Sequence, residues 1–310
     1  MKSALKCFKA SSLRPAICLL IFIAPTFSLA QFRRARLAVL DFGASATGLI
    51  VGDALRSRFS LDAGSPSNEF EIIDRELTKS AARGAGYAGS LNMSRQEARD
   101  LGAAIGCDFY FIGEAQTLSR SASTRPIYFE TYASIFLVSA RTGRLILWER
   151  PSADADSPET SQKQFTIMLS STGSQFAAAI RKAQQDERAE RASAISNSTP
   201  IIELLSDDDN DRNKDVQAPR PYRRLKPIYP ETAARSEIEA TVDVLVDIDE
   251  KGEVNHMEIE RWAGYGLEQS VLETVRQMHF FPAKRDGVAI PLRVLLRYNF
   301  RKPTRNPAQS

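Results

Sequence analysis

The alternation of apolar and polar side chains at residues 241–248 places the strongest constraint on the fold of this 310-residue chain. Its apolar side chains lie on one face and its polar side chains on the other: Val242, Val244, Val246 and Ile248 against Thr241, Asp243 and Asp247. A period of two is that of a β-strand with one buried face. The run therefore predicts a strand in a sheet that is covered on one side.

The sequence around this strand predicts a small α+β domain. Proline suits the first turn of a helix, glycine can take a positive φ in a hairpin turn, and apolar residues spaced three or four apart indicate a one-sided helix. In chain order we predict a short helix opened by Pro230 and Glu231, a turn at 249–252 that contains Gly252, a second strand at 254–260, a helix at 267–278 and, after Pro282, a closing strand at 292–300.

This order resembles the C-terminal domain of the TonB family over residues 221–301. The motif residues that carry the resemblance are Tyr229, Pro230, Gly252, Phe281, Pro282 and Ala283, with Ala233, Ile238, Val242, Ile248, Asp249, Val254, Leu267, Val271 and Gly287 as further matches. Ala240 departs from the family, which usually places glycine before the strand. The resemblance implies a three-stranded antiparallel sheet with helices. A generic small α+β domain is the alternative.

The resemblance also implies that the tail domain binds an extended segment of a partner by adding it to an open sheet edge. On the closing strand we expect the outward-facing residues to dock that segment: Arg293, Leu295, Arg297, Asn299 and Arg301. Three arginines among them favour an acidic segment. The alternative is edge protection, because charged side chains on an edge strand also discourage aggregation.

Residues 1–30 have the pattern of a secretory signal peptide. Four basic residues precede an apolar stretch at 15–25, and Ser28 and Ala30 are small residues at the cleavage positions. An uncleaved anchor is the alternative. Transducers of the TonB family carry a serine and a histidine in an N-terminal membrane helix, and this leader has no histidine. We therefore do not expect proton-driven transduction by this chain alone.

The charge balance excludes nucleic acid as an expected partner. The chain has 41 basic and 38 acidic side chains, and residues 1–30 hold four basic and no acidic ones, which leaves 37 against 38. The excess of positive charge therefore belongs to the leader and not to a binding surface.

Residues 36–191 predict a second unit, a layered α/β domain, because helical and strand patterns alternate. Ser94 and Glu97 form a capping box at the start of one helix. The unit resembles CsgG-like and TolB-N-terminal-like envelope domains, to which lipoprotein activators of cell-wall synthases are similar. The segments that carry this resemblance are 37–42, 71–75, 97–102, 106–108, 112–113 and 137–143. Lipidated-cysteine context and membrane-spanning hairpins are missing from the pattern, so a secretion pore is not expected.

Residues 195–226 predict a disordered linker with an acidic run at 207–211 and prolines after it, and residues 302–310 a short tail. A calcium loop starting at Asp207 would need glycine and glutamate where Arg212 and Ala218 stand. We therefore interpret the run as a solvated spacer.

We find no catalytic constellation, and we expect no enzymatic activity, cofactor or metal. His256 and His279 have no cysteine or carboxylate at ligand spacing. Asp41 and Asp74 follow strand ends, where we expect them to cap helices or hold Arg75. Cys107, the one cysteine after the leader, is expected to be buried packing.

The sequence therefore predicts an α/β plus α+β protein, with a CsgG-like domain joined by an acidic linker to a TonB-like domain. We expect a periplasmic or cell-envelope protein of a Gram-negative-type bacterium, acting in transmembrane transport by binding an outer-membrane transporter or another envelope protein. The alternative is a periplasmic scaffold or assembly factor that acts, as a homo-oligomer or by docking, through its CsgG-like domain.

Overall fold

The computed structural model describes residues 34–60, 69–122, 125–196 and 216–302. Three predictions therefore lie wholly or partly outside the described residues: the signal peptide at 1–30, the acidic run at 207–211 and the tail from 303 onward.

Helices and strands alternate through the first part of the described chain, as the sequence pattern predicts. Its elements are β1 (Ala35–Val39), α1 (Ala46–Ser60), β2 (Phe70–Ile72), α2 (Arg75–Gly84), β3 (Met93–Ser94), α3 (Arg95–Ile105), β4 (Phe109–Ala122), β5 (Arg125–Ser139), β6 (Leu145–Glu149), β7 (Ser152–Ala155) and α4 (Pro158–Ser196). The mixed α/β class is confirmed. The main sheet has the order β2-β1-β4-β5-β6, and β7 also pairs with β5.

This sheet is buried on both faces. Alternate residues of its strands point to opposite sides, so Leu37 and Phe111 join one core while Ala38 and Tyr110 join another. The first core is closed by α1 and α4, whose side chains include Leu55 and Phe176. The second is closed by α2, α3 and residues of the tail domain.

The tail domain has the predicted order of helix, two strands, helix and strand. Its elements are β8 (Val216–Gln217), β9 (Arg220–Pro221), α5 (Glu231–Arg235), β10 (Ala240–Ile248), β11 (Val254–Trp262), α6 (Leu267–Arg276), β12 (Phe280–Phe281), β13 (Ala283–Arg285), β14 (Val288–Ile290) and β15 (Leu292–Phe300). Ile248 and Val246 are buried, as the alternation predicts, and α6 covers them with Leu267 and Val271.

The tail sheet has four strands in the order β15-β10-β11-β3, where the sequence predicts three. The additional strand, β3, comes from the α/β unit: Ser94 pairs with Arg261, and Met93 with Trp262. A strand of two residues has no periodicity, so the pattern could not predict it.

The end of the predicted linker is also ordered against the tail domain. Val216 and Gln217 pair with β13, and Arg220 and Pro221 pair with β12. Residues 216–221 are therefore part of two small sheets and not of a spacer. At the other end, α4 continues to Ser196 and so includes the first two residues assigned to the linker.

The α/β unit and the tail domain share one core. Trp262 of β11 donates a hydrogen bond from its indole nitrogen to the carbonyl of Gly143, at 3.0 Å. Tyr265 contacts the rings of Phe136 and Trp148 and lies 2.7 Å from the Ser134 hydroxyl. The two units thus pack as one body through aromatic side chains.

Candidate functional site: the open edge of the tail sheet

The last strand, β15, lies at one border of the four-stranded tail sheet. It pairs with β10 over nine residues, from Ala240–Phe300 to Ile248–Leu292. No strand in the described part of the chain pairs with its other edge. The opposite border differs, because β3 covers the end of β11. An edge strand offers unpaired backbone N–H and C=O groups along its length, so β15 can accept another strand.

Of the predicted docking residues, Arg293, Leu295, Arg297 and Asn299 lie on β15, on the face opposite its buried residues, and Arg301 directly follows the strand. Two of these arginines are already paired. Arg293 binds the Asp247 carboxylate at 2.5 and 2.7 Å. Arg297 binds the Asp243 carboxylate at 2.7 and 3.0 Å. The hydrogen bonds to Asp247 raise the pKa of Arg293 above its ordinary value.

These pairs change the charge argument for the partner. Asp243 and Asp247 are buried under the arginine side chains that cross from β15 to β10. Two of the three arginine charges counted from the sequence are therefore neutralised within the sheet. The prediction of an acidic partner segment depended on three unpaired arginines, so these ion pairs remove its basis.

The other residues predicted to dock a partner form a mixed, exposed surface. Leu295 has 43% of its surface exposed, and Arg301 is also exposed. Asn299 accepts a hydrogen bond from the Thr241 hydroxyl at 2.8 Å. Leu295 is apolar, and the arginines on either side of it, Arg293 and Arg297, are paired with aspartates. This face of β15 therefore carries little net charge.

The family motif residues anchor the tail domain. Tyr229 donates a hydrogen bond to the Ile238 carbonyl at 2.5 Å and stacks on Phe300. Pro230 is the residue before the first turn of α5. Ala283 is buried.

The other three motif residues lie in the turn after β10 and at the end of β12. Gly252 has a φ of 84° in the turn between β10 and β11, as predicted. Phe281 stays exposed and stacks on Tyr222 with ring centroids 4.0 Å apart, and Pro282 follows it. The motif residues therefore have structural roles within the tail domain.

Several isolated polar residues are placed as the sequence predicts. Asp74 caps α2 by accepting from the backbone nitrogens of Glu76 and Leu77. Asp41 lies 3.1 Å from the Arg75 guanidinium. His279, at the end of α6, lies 3.2 Å from Glu253, while His256 lies on β11.

Cys107 is half-buried two residues before β4, and burial raises the pKa of its thiol to about 12. Within the described ranges, no group of three or more histidine, cysteine or carboxylate side chains has the geometry to hold a metal ion. No helix in those ranges is long and apolar enough to span a bilayer.

Sequence reasoning missed the residues that position the edge strand. Asp243 and Asp247 are placed on the polar face by the alternation, but their arginine partners are 54 and 46 residues away. The available signal was two acidic residues four apart in one strand and two arginines four apart in another. Only the β10–β15 register joins them.

The fold and the edge define a class: an α/β unit that carries a small tail domain with an open antiparallel edge. Residues 226–301 match the family model described as the Gram-negative bacterial TonB protein C-terminal domain. This match covers the tail domain and agrees with the resemblance seen in the sequence. No curated protein matches the chain.

Solved structures similar to parts of the chain include three from different bacteria. A TonB C-terminal domain from Pseudomonas aeruginosa is 21% identical, with 34% of this chain and 99% of that chain covered and a TM-score of 0.26. The hypothetical protein CT253 from Chlamydia trachomatis is 10% identical, with coverages of 47% and 99% and a TM-score of 0.31. The LpoB C-terminal domain from Salmonella enterica is 15% identical, with coverages of 38% and 82% and a TM-score of 0.27.

Proposed function

We propose that this chain is a cell-envelope protein of a Gram-negative-type bacterium whose tail domain binds an envelope partner by strand addition to β15. The observation that carries the proposal is a nine-residue strand with one paired and one open edge, in a domain that matches the TonB C-terminal family. Backbone pairing would supply affinity, and the side chains on either side of the added strand would supply selectivity. The family match supports an outer-membrane transporter as the class of partner, and the role that we propose for the chain is in transmembrane transport.

The opposite border of the sheet, where β3 covers the end of β11, supports the choice of β15. At β11, Asn92 binds the carbonyls of Thr241 and Trp262, both at 2.8 Å, and thereby holds β3 in place. A partner strand would have to displace β3 to pair along the end of β11. At β15 it would displace no described backbone.

Photo-crosslinking of the full chain in its own envelope tests the proposal. We would place p-benzoylphenylalanine at Leu295, which is exposed on β15, and as a control at Leu77, which is exposed on α2. We expect position 295 to yield adducts with an envelope protein, mapped by mass spectrometry to a segment without helical structure. Position 77 should yield none with that protein.

Strand addition also predicts a periodic pattern, since neighbouring residues of a strand face opposite sides. The adducts from positions 293, 295 and 297 should map to partner residues two apart. Adducts only from position 77 would contradict the proposal and favour the scaffold alternative.

A further inference from the structure

A cavity of about 600 Å³ lies at the carboxyl end of β1, far in sequence from the docking strand. Its walls come from residues 39–45 after β1, from residues 113–117 of β4 and from α2. The volume lies within the range of small-molecule sites in proteins. The proposed strand docking does not use it.

The cavity lies at the point where the strand order of the main sheet reverses. From β1 the chain passes through α1 to β2 on one side, then returns through α2 and α3 to β4 on the other. Both strands are parallel to β1. Crevices at the carboxyl ends of strands at such a switch point are the usual ligand sites of open α/β sheets.

Positive charge exceeds negative charge in this cavity. Four cationic side chains line it against two anionic ones: Arg56, Arg75, Lys79 and Arg83 against Asp41 and Glu114. Glu114 already accepts a hydrogen bond from the Tyr265 hydroxyl at 3.1 Å.

Asp41 is shared among three of the cations. Arg75 lies 3.1 Å from it, and Arg56 and Lys79 each lie 3.8 Å away. Asp53, outside the lining, contributes contacts of 3.1 Å to Arg56 and 3.8 Å to Arg75. Three cations around two carboxylates leave one positive charge in excess.

Both guanidinium groups also keep unused donors. The Nε atoms of Arg56 and Arg75 are buried and have no hydrogen-bond partner among the described residues. Arg75 is the first residue of α2, where the helix dipole disfavours a cation. Burial, and then the nearby charge of Arg75, lower the pKa of Arg56. Unpaired guanidinium donors and a cation at the start of a helix are both features that suit the binding of an anion.

We propose that this cavity binds a small organic anion that carries a carboxylate or phosphate group on an apolar body. Guanidinium forks match the paired oxygens of both groups, and Lys79 adds a third cation. Arg56 is held in position because it donates to the Val39 carbonyl at 2.6 Å. Leu40, Ala82 and Leu91 supply the apolar wall for the body of the ligand.

Calorimetric titration of the full chain with four probes of similar length tests the site. Hexyl phosphate and heptanoate carry the two candidate head groups, hexanol carries no charge, and hexyltrimethylammonium carries the opposite charge. We expect at least one of the two anions to bind with a dissociation constant of about 1 mM or tighter, and the other two probes to bind at least about tenfold more weakly. The stronger of the two anions identifies the head group.

Variants locate the binding. Arg75→Gln and Lys79→Gln should each weaken the anion about tenfold, because each removes a charged donor. Arg181→Gln is the matched control: Arg181 pairs with Glu69 at 2.8 Å outside the cavity, and its loss should leave binding unchanged. Circular dichroism checks the fold, and Lys79→Gln, at a half-exposed side chain, keeps the test valid if Arg75→Gln unfolds. Failure of both anions to bind, equal binding of hexanol, or unchanged affinity in Lys79→Gln would overturn the proposal.

Discussion

Gly252 shows how strongly a single residue constrains the tail domain. A Cβ built at this position would lie 1.8 Å from the carbonyl oxygen of Phe280, and the backbone φ is 84°. An alanine would have to adopt a left-handed conformation and also push the backbone aside. We expect Gly252→Ala to lower the free energy of unfolding by about 2–4 kcal/mol, measured by urea denaturation of the full chain.

Gly287 is the matched control for this substitution. It has a similar φ of 83°, but a Cβ there would meet no heavy atom of the described chain within 4 Å. Gly287→Ala should therefore cost only the conformational strain, about 1–2 kcal/mol. Equal losses in the free energy of unfolding for the two substitutions would show that the contact with Phe280 does not contribute to the destabilisation.

Some residue roles are predictable from the sequence because their partners are local. Examples are the capping box of Ser94 and Glu97 and the cap at Asp74, whose partners lie two or three residues away in the chain. Gly252 is similar, because its turn connects two strands that are adjacent in the sequence. The pairing of Arg297 with Asp243 is of another kind, since it depends on which strand lies beside which. The same holds for Tyr265, whose hydroxyl contacts Ser134 of β5.

Among the elements, β3 joins the tail sheet to the α/β unit. Asn92, the residue before β3, supports this contact with its side chain. This amide donates to the Thr241 and Trp262 carbonyls and accepts from the Thr241 backbone nitrogen at 3.0 Å. Asn92→Ala would leave these partly buried groups without their partner. We expect a loss of about 1–3 kcal/mol in the free energy of unfolding and faster hydrogen exchange at Met93 and Trp262.

Ser90→Ala is the control for the Asn92 substitution. The Ser90 hydroxyl bonds to the backbone of Asn92 at 3.3 Å in the same loop, but it is exposed. Its removal should change stability by less than about 0.5 kcal/mol. Exchange at Trp262 that is unchanged in Asn92→Ala would mean that β3 is held by other contacts.

Most elements are predictable from periodicity, and the exceptions share one property. The long strands and helices repeat their apolar residues often enough to identify them, as at 241–248 and 267–278. The strands that sequence reasoning missed are only two to four residues long: β3, β7, β8, β9, β12, β13 and β14. They form because a neighbouring strand offers them backbone partners, and their side chains carry no repeating pattern.

At the scale of the whole molecule, an ion-pair cluster joins the α/β unit to the tail domain. Glu258 of β11 contacts Arg95 of α3 and lies 2.7 Å from Arg144, which also binds Glu190 of α4. Partial burial opposes ionisation of Glu258, but these arginines outweigh it and lower its pKa below the usual 4.5. The cluster therefore stabilises the docked arrangement while Glu258 is ionised.

The sign of the pH dependence follows from this lowered pKa. A carboxylate whose pKa is lower in the folded state contributes its full stabilisation above the unfolded value, here 4.5, and loses it as pH falls through the folded value. We expect Glu258→Gln to lower the free energy of unfolding by about 1–2 kcal/mol at neutral pH and the difference to disappear in acid. Urea denaturation followed by tryptophan fluorescence measures it, because Trp148 and Trp262 both line the same interface groove as Glu258.

The comparison with the unsubstituted chain cancels most of the pH dependence that comes from the neighbouring Glu260, whose pKa is raised mainly by burial. Burial raises the pKa of Glu260, which gives the opposite pH dependence, but Glu260 is present in both proteins. A stability difference that stays constant from neutral to acid pH would contradict the ionic role of Glu258.

The amino-acid sequence alone predicts the order of the long elements, the buried faces of the long strands, the turn at Gly252 and the TonB-like character of the tail. These properties depend on local repetition and on residues close together in the chain. Three features came to light only in the folded chain: the two units share a core, β3 covers the end of β11, and aspartates neutralise two arginines of β15. Each of these depends on contacts between segments more than forty residues apart, which form only when the whole chain packs.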